Sequence, residues 1–140
     1  MNNQLLILQK EFQKLKNLFT ANEFPLAISG TKKLLKKFSN NSILINFLGC
    51  CYQQQDKLEE AKLKFITALQ FDSNNIPAMN NLANTYKNLK EYDEAEEYYK
   101  KIIKKYPNYI NAFVNYANMK RHFNDLDGAL ELLKKAALID

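Results

Sequence analysis

The chain has 140 residues, of which 46% are hydrophobic and 25% are charged, with 20 Lys and Arg against 15 Asp and Glu. These fractions are typical of a soluble globular domain and exclude the disordered, collagen-like and membrane classes. Only three Gly and three Pro occur, which is too few for a protein with many short strands. The residue types in excess are Asn and Lys, with 18 and 19 copies, and the net charge is +5.

The two cysteines, Cys50 and Cys51, are adjacent in the sequence. Neighbouring cysteines bridge each other only with severe backbone strain, so the sequence predicts two reduced thiols. The first residues contain neither a basic leader nor a long apolar run, and no stretch reaches 18 uninterrupted apolar residues. We therefore expect a cytoplasmic protein without a membrane span.

A period of 34 residues runs through nearly the whole chain. Apolar and small residues recur at this spacing in four independent series. Two of the series are Ala27, Ala61, Ala95 and Ala129, and Phe24, Leu58, Tyr92 and Leu126. The period predicts one array of four units, 8–41, 42–75, 76–109 and 110–140, the last of which is three residues short of 34.

Each unit has the apolar spacing of two helices. In the second unit Ile45 and Leu48 belong to one helical stripe, and Ala61 and Phe65 belong to another. The polar residues 53–57 separate the stripes and predict a tight turn. Each unit is therefore predicted to be a helical hairpin.

The turns inside the units contain candidate helix caps. Asp56 precedes Glu59 by three residues, which fits a capping box for the second helix of its unit. Asn22 and Asn124 occupy the same place in the first and last units. We predict that these three side chains cap the helices that follow them.

The repeated residues resemble those of the tetratricopeptide repeat family. In that family the first helix, helix A, carries Leu-Gly or Leu-Ala and a Tyr, and helix B carries Ala, an aromatic residue and Ala. The second unit matches with Leu48, Gly49, Tyr52, Ala61, Phe65 and Ala68, and the third with Leu82, Ala83, Tyr86, Ala95 and Tyr99. The fourth unit departs from the pattern with Lys120 in place of the Tyr. The first departs most, with Glu11, Lys14 and Thr31 at places that are usually apolar.

This resemblance implies an all-α fold, a right-handed superhelical solenoid of helix-turn-helix hairpins stabilised largely by stacking between neighbours. The last unit is followed by no polar capping helix, and Leu138 and Ile139 would lie near an uncovered end. We expect either that the chain is a fragment of a longer protein or that another subunit covers this end. Self-association through the C-terminal end is therefore one predicted interaction.

The resemblance also implies a concave groove lined by helix A. The groove residues would be Phe12, Asn46, Phe47, Cys50, Asn80, Asn81, Asn84, Asn111, Asn115, Asn118, Arg121 and His122. An Asn amide offers two donors and an acceptor without charge, which matches the amides of an extended peptide. Its recurrence resembles the asparagine ladder of protein O-GlcNAc transferases, although the ladder here is partial. Alternatively, an AT-rich coding sequence enriches Asn and Lys, and the surface simply collects them.

We predict that the chain is a scaffold that binds a peptide or protein segment in this groove, with Phe12 and Phe47 as apolar anchors. Chaperone-tail binders of the family use a carboxylate clamp of Lys, Asn and Arg residues, of which only Asn81 is matched here. A second hypothesis is the substrate-recruiting arm of a glycosyltransferase or sulfotransferase whose catalytic domain lies beyond residue 140.

The lysines are predicted to form a convex, solvated stripe. Lys100, Lys101, Lys104 and Lys105 repeat the helix B places of Lys32, Lys33, Lys36 and Lys37. The stripe contains no interleaved arginines, and the groove has no matching aromatic platform, which argues against nucleic acid as a partner.

Catalysis has little support in the sequence. His122 is the only imidazole, and Cys50 lies two repeats away, roughly 20 Å at 8–10 Å per helix contact. No nucleophile–base pair can form at that separation, and two Cys with one His at this spacing make no zinc site. We expect no enzymatic activity, no metal and no cofactor.

Overall fold

The computed structural model describes residues 2–139, and every regular element among them is an α-helix. The helices are α1 Asn3–Thr20, α2 Phe24–Leu35, α3 Ser42–Gln54, α4 Leu58–Phe71, α5 Ile76–Asn88, α6 Tyr92–Lys105, α7 Ile110–His122 and α8 Leu126–Ala137. The prediction of an all-α fold is confirmed. Helices α3, α5 and α7 begin 34 residues apart, at Ser42, Ile76 and Ile110.

The three-residue turns inside the hairpins are built by residues in the left-handed region of backbone space. Asn22, Asp56, Lys90 and Asn124 have φ of 61°, 58°, 65° and 58°, and they repeat at the same 34-residue spacing. Each turn closes the preceding helix with the same pair of backbone hydrogen bonds. In the first, the N–H of Asn22 donates to Phe19 O at 3.0 Å and that of Glu23 to Leu18 O at 2.9 Å. This is the Schellman motif that ends many helices.

The predicted capping roles of Asp56, Asn22 and Asn124 are therefore wrong. The residue before α4 is Lys57, which makes no side-chain cap, and Asp56 instead ends α3. Asn and Asp tolerate a left-handed backbone as well as they cap helices, so the residue types alone favoured both roles. Other side chains cap instead, either one residue further along, in the links between hairpins, or at the start of α1. Asp125 accepts from Gly128 N at 2.9 Å, and Asn41 accepts from Leu44 N at 3.0 Å.

The described residues divide into two compact units, 2–78 and 79–139. In the first unit, α1, α2 and α3 enclose the buried side chains of Leu15, Leu34 and Leu44. A second cluster joins Ile45 to Ala68 and Ala78. The buried apolar side chains therefore come from several helices, as expected of hairpins that cannot form a core alone.

A buried chain of hydrogen bonds ties the link at residues 72–75 to the second hairpin. The Ser42 hydroxyl donates to Ala68 O at 2.9 Å, and Asn75 Nδ2 donates to Ser42 Oγ at 2.7 Å. Asn75 Oδ1 in turn accepts from Ala78 N at 3.1 Å. These buried polar groups are paired, as burial requires.

The unusual polar residues of the first repeat have local explanations. The Thr31 hydroxyl is fully buried and donates to Ala27 O at 2.7 Å. Glu11 and Lys14 form an ion pair of 2.7 Å on the surface of α1, where both side chains reach solvent. These residues therefore bury no unpaired polar group.

Aromatic residues dominate the core of the second unit. Tyr99 and Tyr116 stack with ring centroids 5.5 Å apart, and Ala83, Ala95 and Met119 complete the cluster. The small alanines allow the helices to approach while the large rings fill the space between them.

Candidate functional site

In the first unit, an aromatic cluster forms on the predicted groove surface. Phe12 of α1 and Phe47 of α3 meet edge to face with ring centroids 5.2 Å apart, and Phe19 lies 5.5 Å from Phe47. Lys16 Nζ lies 5.2 Å from the centre of the Phe12 ring. The structure therefore brings Phe12 and Phe47 together, and both remain partly accessible. Their role as peptide anchors stays a prediction.

A recess opens beside Phe12. Its volume is about 220 Å³, and its lining is mostly apolar, with Ile43 60% and Leu5 47% exposed. The lining residues are Leu5, Leu8, Gln9, Phe12, Asn41, Ile43 and Leu44. We call it the apolar recess. Clefts for drug-sized ligands measure about 300–1,000 Å³, so this one suits a single apolar side chain with polar groups at its edge.

The remaining predicted groove residues of the first unit are Asn46 and Cys50, both partly buried on α3. Neither Cys50 nor its neighbour Cys51 forms a disulfide. Burial raises the pKa of Cys50 to about 11 and that of Cys51 to about 12. Both thiols are therefore protonated at neutral pH and are poor nucleophiles.

In the second unit, the side chains of three predicted Asn residues take part in hydrogen bonds between helices. Asn115 Nδ2 of α7 donates to Asn80 Oδ1 of α5 at 3.2 Å, and Asn80 is only 6% exposed. The Tyr99 hydroxyl of α6 donates to Asn84 Oδ1. For Asn81, the backbone carbonyl accepts from the Thr85 hydroxyl within α5 at 2.7 Å. Replacing Asn80 or Asn84 would therefore disturb packing as well as any binding surface.

The accessible predicted residues of this unit lie on α7. Asn111, Asn118, Arg121 and His122 are all exposed. Asn111, Asn118 and His122 fall on one helical stripe because they are separated by seven and four residues. This stripe combines uncharged amides with basic groups at its C-terminal end.

A second recess lies at that end of the stripe. It has a volume of about 290 Å³ and is lined by Lys87, Asn88, Tyr92, Asn118 and His122. We call it the polar recess. The Tyr92 hydroxyl and His122 Nε2 are 3.3 Å apart, within hydrogen-bond reach. Lys87 and Tyr92 were not among the residues predicted from the sequence.

An ionic network occupies the place where the fourth repeat lacks its Tyr. Lys120 Nζ lies 3.1 Å from Glu96 Oε1 and 3.3 Å from Asp125 Oδ2, and the Tyr116 hydroxyl also donates to Glu96. The hydrogen bond from Tyr116, supported by Lys120 and Lys100, lowers the pKa of Glu96 to about 2. The bond to Glu96 raises the pKa of Lys120. This network fixes α6 to α7 and to the start of α8.

Two further properties of residues 2–139 bear on function. No group of three or more His, Cys, Asp or Glu side chains in this part of the chain is arranged to hold a metal ion. No helix within the same residues combines the length and apolar character that a membrane crossing requires.

Comparison with known proteins supports the 34-residue repeat and the fold of helical hairpins. The family model of the tetratricopeptide repeat matches residues 76–109. The structure of MamA superposes with a TM-score of 0.80 at 21% identity, covering 94% of this chain and 77% of that one. MamA from Desulfovibrio magneticus RS-1 gives 0.78 at 14% identity, with 94% and 75% covered. A tetratricopeptide repeat protein from Parabacteroides merdae ATCC 43184 gives 0.77 at 22% identity, with 91% and 51% covered. No curated protein matches the sequence significantly.

The fold is therefore that of a solenoid of helical hairpins, shared with these structures over most of the chain. One unit, residues 76–109, matches the tetratricopeptide repeat model, and the eight helices of residues 2–139 fit about four such repeats.

Proposed function

We propose that the chain is a non-catalytic scaffold that binds an extended peptide or protein segment along the helix A surfaces of its repeats. The observation that carries the proposal is the exposed stripe of α7, with Asn111 and Asn118 available to a partner. Their amides can donate to and accept from peptide groups without demanding a charge. Such contacts hold a backbone while reading little of its sequence.

The first unit supports the proposal with apolar contacts. Phe12 and Phe47 present aromatic surface beside the apolar recess, in which Ile43 and Leu5 are largely exposed. Aromatic side chains contribute disproportionately to peptide and protein binding because they bury a large area with few rotatable bonds. We propose that the recess accepts an apolar side chain of the partner.

The test is a selection of displayed random peptides on the whole chain, followed by affinity measurement with fluorescence anisotropy. We expect the double substitution Asn111→Ala and Asn118→Ala to weaken a selected peptide roughly tenfold, since each hydrogen bond contributes about 0.5–1.5 kcal/mol. Asn108→Ala is the matched control, because Asn108 is an exposed Asn in the preceding link. Equal affinity of the double variant and the control would contradict the Asn-based surface. Failure to select any peptide would contradict the function.

We further propose a reducing, cytoplasmic compartment, in which the thiols of Cys50 and Cys51 would stay reduced. The lysine stripe is exposed, and we assign it to solvation rather than to nucleic acid. No feature of residues 2–139 favours the second hypothesis, an enzyme's recruiting arm.

Self-association stays a prediction that the surface of α8 supports. Leu126, Leu130 and Leu133 are 60%, 51% and 38% exposed and fall on one stripe of that helix. Leu138, one residue beyond α8, is 86% exposed. A second copy of the chain is the partner that we propose for this stripe.

A further inference from the structure

The polar recess of the second unit combines several hydrogen-bond donors with a cation. Its lining contains the ammonium of Lys87, the amides of Asn88 and Asn118, and the Tyr92–His122 pair. It contains no carboxylate. This composition is the reverse of the neighbouring network, in which Lys120 is surrounded by acidic groups.

Lys87 is partly buried without a compensating anion. Burial lowers the pKa of its ammonium, and no carboxylate among the described residues offsets that effect. A partly desolvated cation without a counter-ion is unfavourable, and an anion entering the recess would relieve that cost. The position of Lys87 therefore favours binding of a negatively charged ligand.

The surrounding charges favour the same ligand. Lys87 and His122 lie in the last turns of α5 and α7, where each helix end carries roughly half a negative charge. Lys87 and Arg121, the residue before His122, each carry a full positive charge. Together they outweigh the partial negative charges of the two helix ends. Two carboxylates of the adjacent network, Glu96 and Asp125, are both held by Lys120.

Building on the proposed function, we infer that the polar recess binds a carboxylate of the bound peptide segment. Lys87 supplies the charge, and Asn88, Asn118 and the Tyr92–His122 pair supply hydrogen bonds. Charge-assisted hydrogen bonds to a carboxylate are about twice as strong as neutral ones. The recess thus adds a preference for an acidic position to a surface that otherwise reads little sequence. This arrangement is different from the carboxylate clamp of the family, whose residue pattern the chain lacks.

The experiment is a nuclear magnetic resonance titration of the whole ¹⁵N-labelled chain with three nine-residue Gly-Ser peptides. The first carries a central Glu and an amidated C-terminus, the second has Gln in place of Glu, and the third has Gln with a free C-terminus. Comparison of the first and third peptides shows whether the recess binds a side-chain carboxylate or a C-terminal carboxylate.

We expect at least one carboxylate peptide to bind about tenfold more tightly than the neutral peptide and to shift the amide signals of Lys87 and Asn118. Lys87→Gln should remove that advantage, while Lys104→Gln, the same charge change at an exposed lysine of α6, should retain it. Gln keeps most of the stem of the side chain, so packing around α5 should survive.

Equal binding of all three peptides, or an unchanged advantage in Lys87→Gln, would overturn the carboxylate site. If the neutral peptide still binds when the carboxylate site is overturned, the proposed peptide-binding function is retained. If no peptide binds, the recess proposal fails, and the independent peptide selection decides the function.

Discussion

At the residue scale, the carboxyl of Glu96 couples stability to pH. Its pKa is lowered from 4.5 to about 2 in the folded chain, chiefly by the Tyr116 hydroxyl. A lowered carboxyl pKa stabilises the folded state above about pH 4.5, and the contribution is lost as pH falls towards 2. The side chain is 30% exposed, so solvent screening reduces the effect.

We expect the wild type to lose about 1 kcal/mol more free energy of unfolding between pH 7 and pH 3 than Glu96→Gln does. Urea denaturation at the two pH values measures the difference. Glu97→Gln, a change at the exposed neighbouring residue, should behave as the wild type. Parallel losses in the wild type and Glu96→Gln would show that the carboxyl contributes no pH dependence.

Gly49 marks a close helix approach in the first unit. A Cβ at this position would lie 2.6 Å from Cε1 of Phe65, whose ring is fully buried. The ring has no free space to move into, so Gly49→Ala should lower the free energy of unfolding by about 1–2 kcal/mol despite the better helix propensity of Ala.

Gly30→Ala is the comparison for this prediction. The new Cβ would lie 2.5 Å from Cδ2 of Leu15, which is the end of a flexible side chain beside a recess of about 380 Å³. We expect a change of less than about 0.5 kcal/mol, because the leucine can rotate and Ala favours the helix. Thermal or urea unfolding of both variants checks the order, and an equal effect at the two sites would contradict it.

At the scale of elements, the four Schellman turns differ in how well their residues suit a left-handed backbone. Asn22, Asp56 and Asn124 tolerate it, whereas Lys90 in the third repeat has a Cβ and no local side-chain compensation. Lys90→Gly should therefore stabilise the chain by roughly 1 kcal/mol, or about 2–4 °C in melting temperature.

Lys90→Ala provides the control, since it removes the same charge but keeps the Cβ. Circular dichroism melting of the two variants measures the difference. A Gly variant that melts no higher than the Ala variant would show that the turn is not limited by backbone conformation.

The same turns show what sequence reasoning reached and what it missed. The period predicted paired helices, because spacing of apolar and small residues reports directly which faces pack. The capping prediction for Asp56 failed, because Asn and Asp satisfy both a left-handed turn and a helix cap. Position 90, equivalent to Asp56 in the third repeat, is Lys. Because a Lys side chain has no hydrogen-bond acceptor, it cannot cap a helix N-terminus, and this residue indicated that the four positions do not share a capping role.

The candidate surfaces were predicted less completely, because side-chain contacts between helices are not specified by residue spacing. Phe12 and Phe47 contact each other, and their role as peptide anchors stays a prediction. The bond between Asn115 and Asn80, by contrast, depends on side-chain rotamers that spacing does not specify. The partial burial of Lys87 likewise depends on neighbours from two other helices, α6 and α7.

At the scale of the whole molecule, the exposed stripe of α8 predicts association between chains. We expect light scattering to give a mass that rises with protein concentration, and Leu130→Glu to reduce the rise by placing a charge within the apolar contact. Leu63→Glu is the matched control, because Leu63 is 60% exposed on α4. A constant monomer mass at every concentration would contradict the prediction.

The two thiols also make the chain convenient for labelling. With a pKa of about 11, the Cys50 thiol is ionised in only about one molecule in ten thousand at pH 7. Cys51, with a pKa of about 12, is ionised still less. A cysteine introduced at the exposed position 108, in the link before α7, would have an ordinary thiol and would react with a maleimide dye far faster than either. The natural cysteines could then stay in place while fluorescence from a single attached dye reports binding along α7.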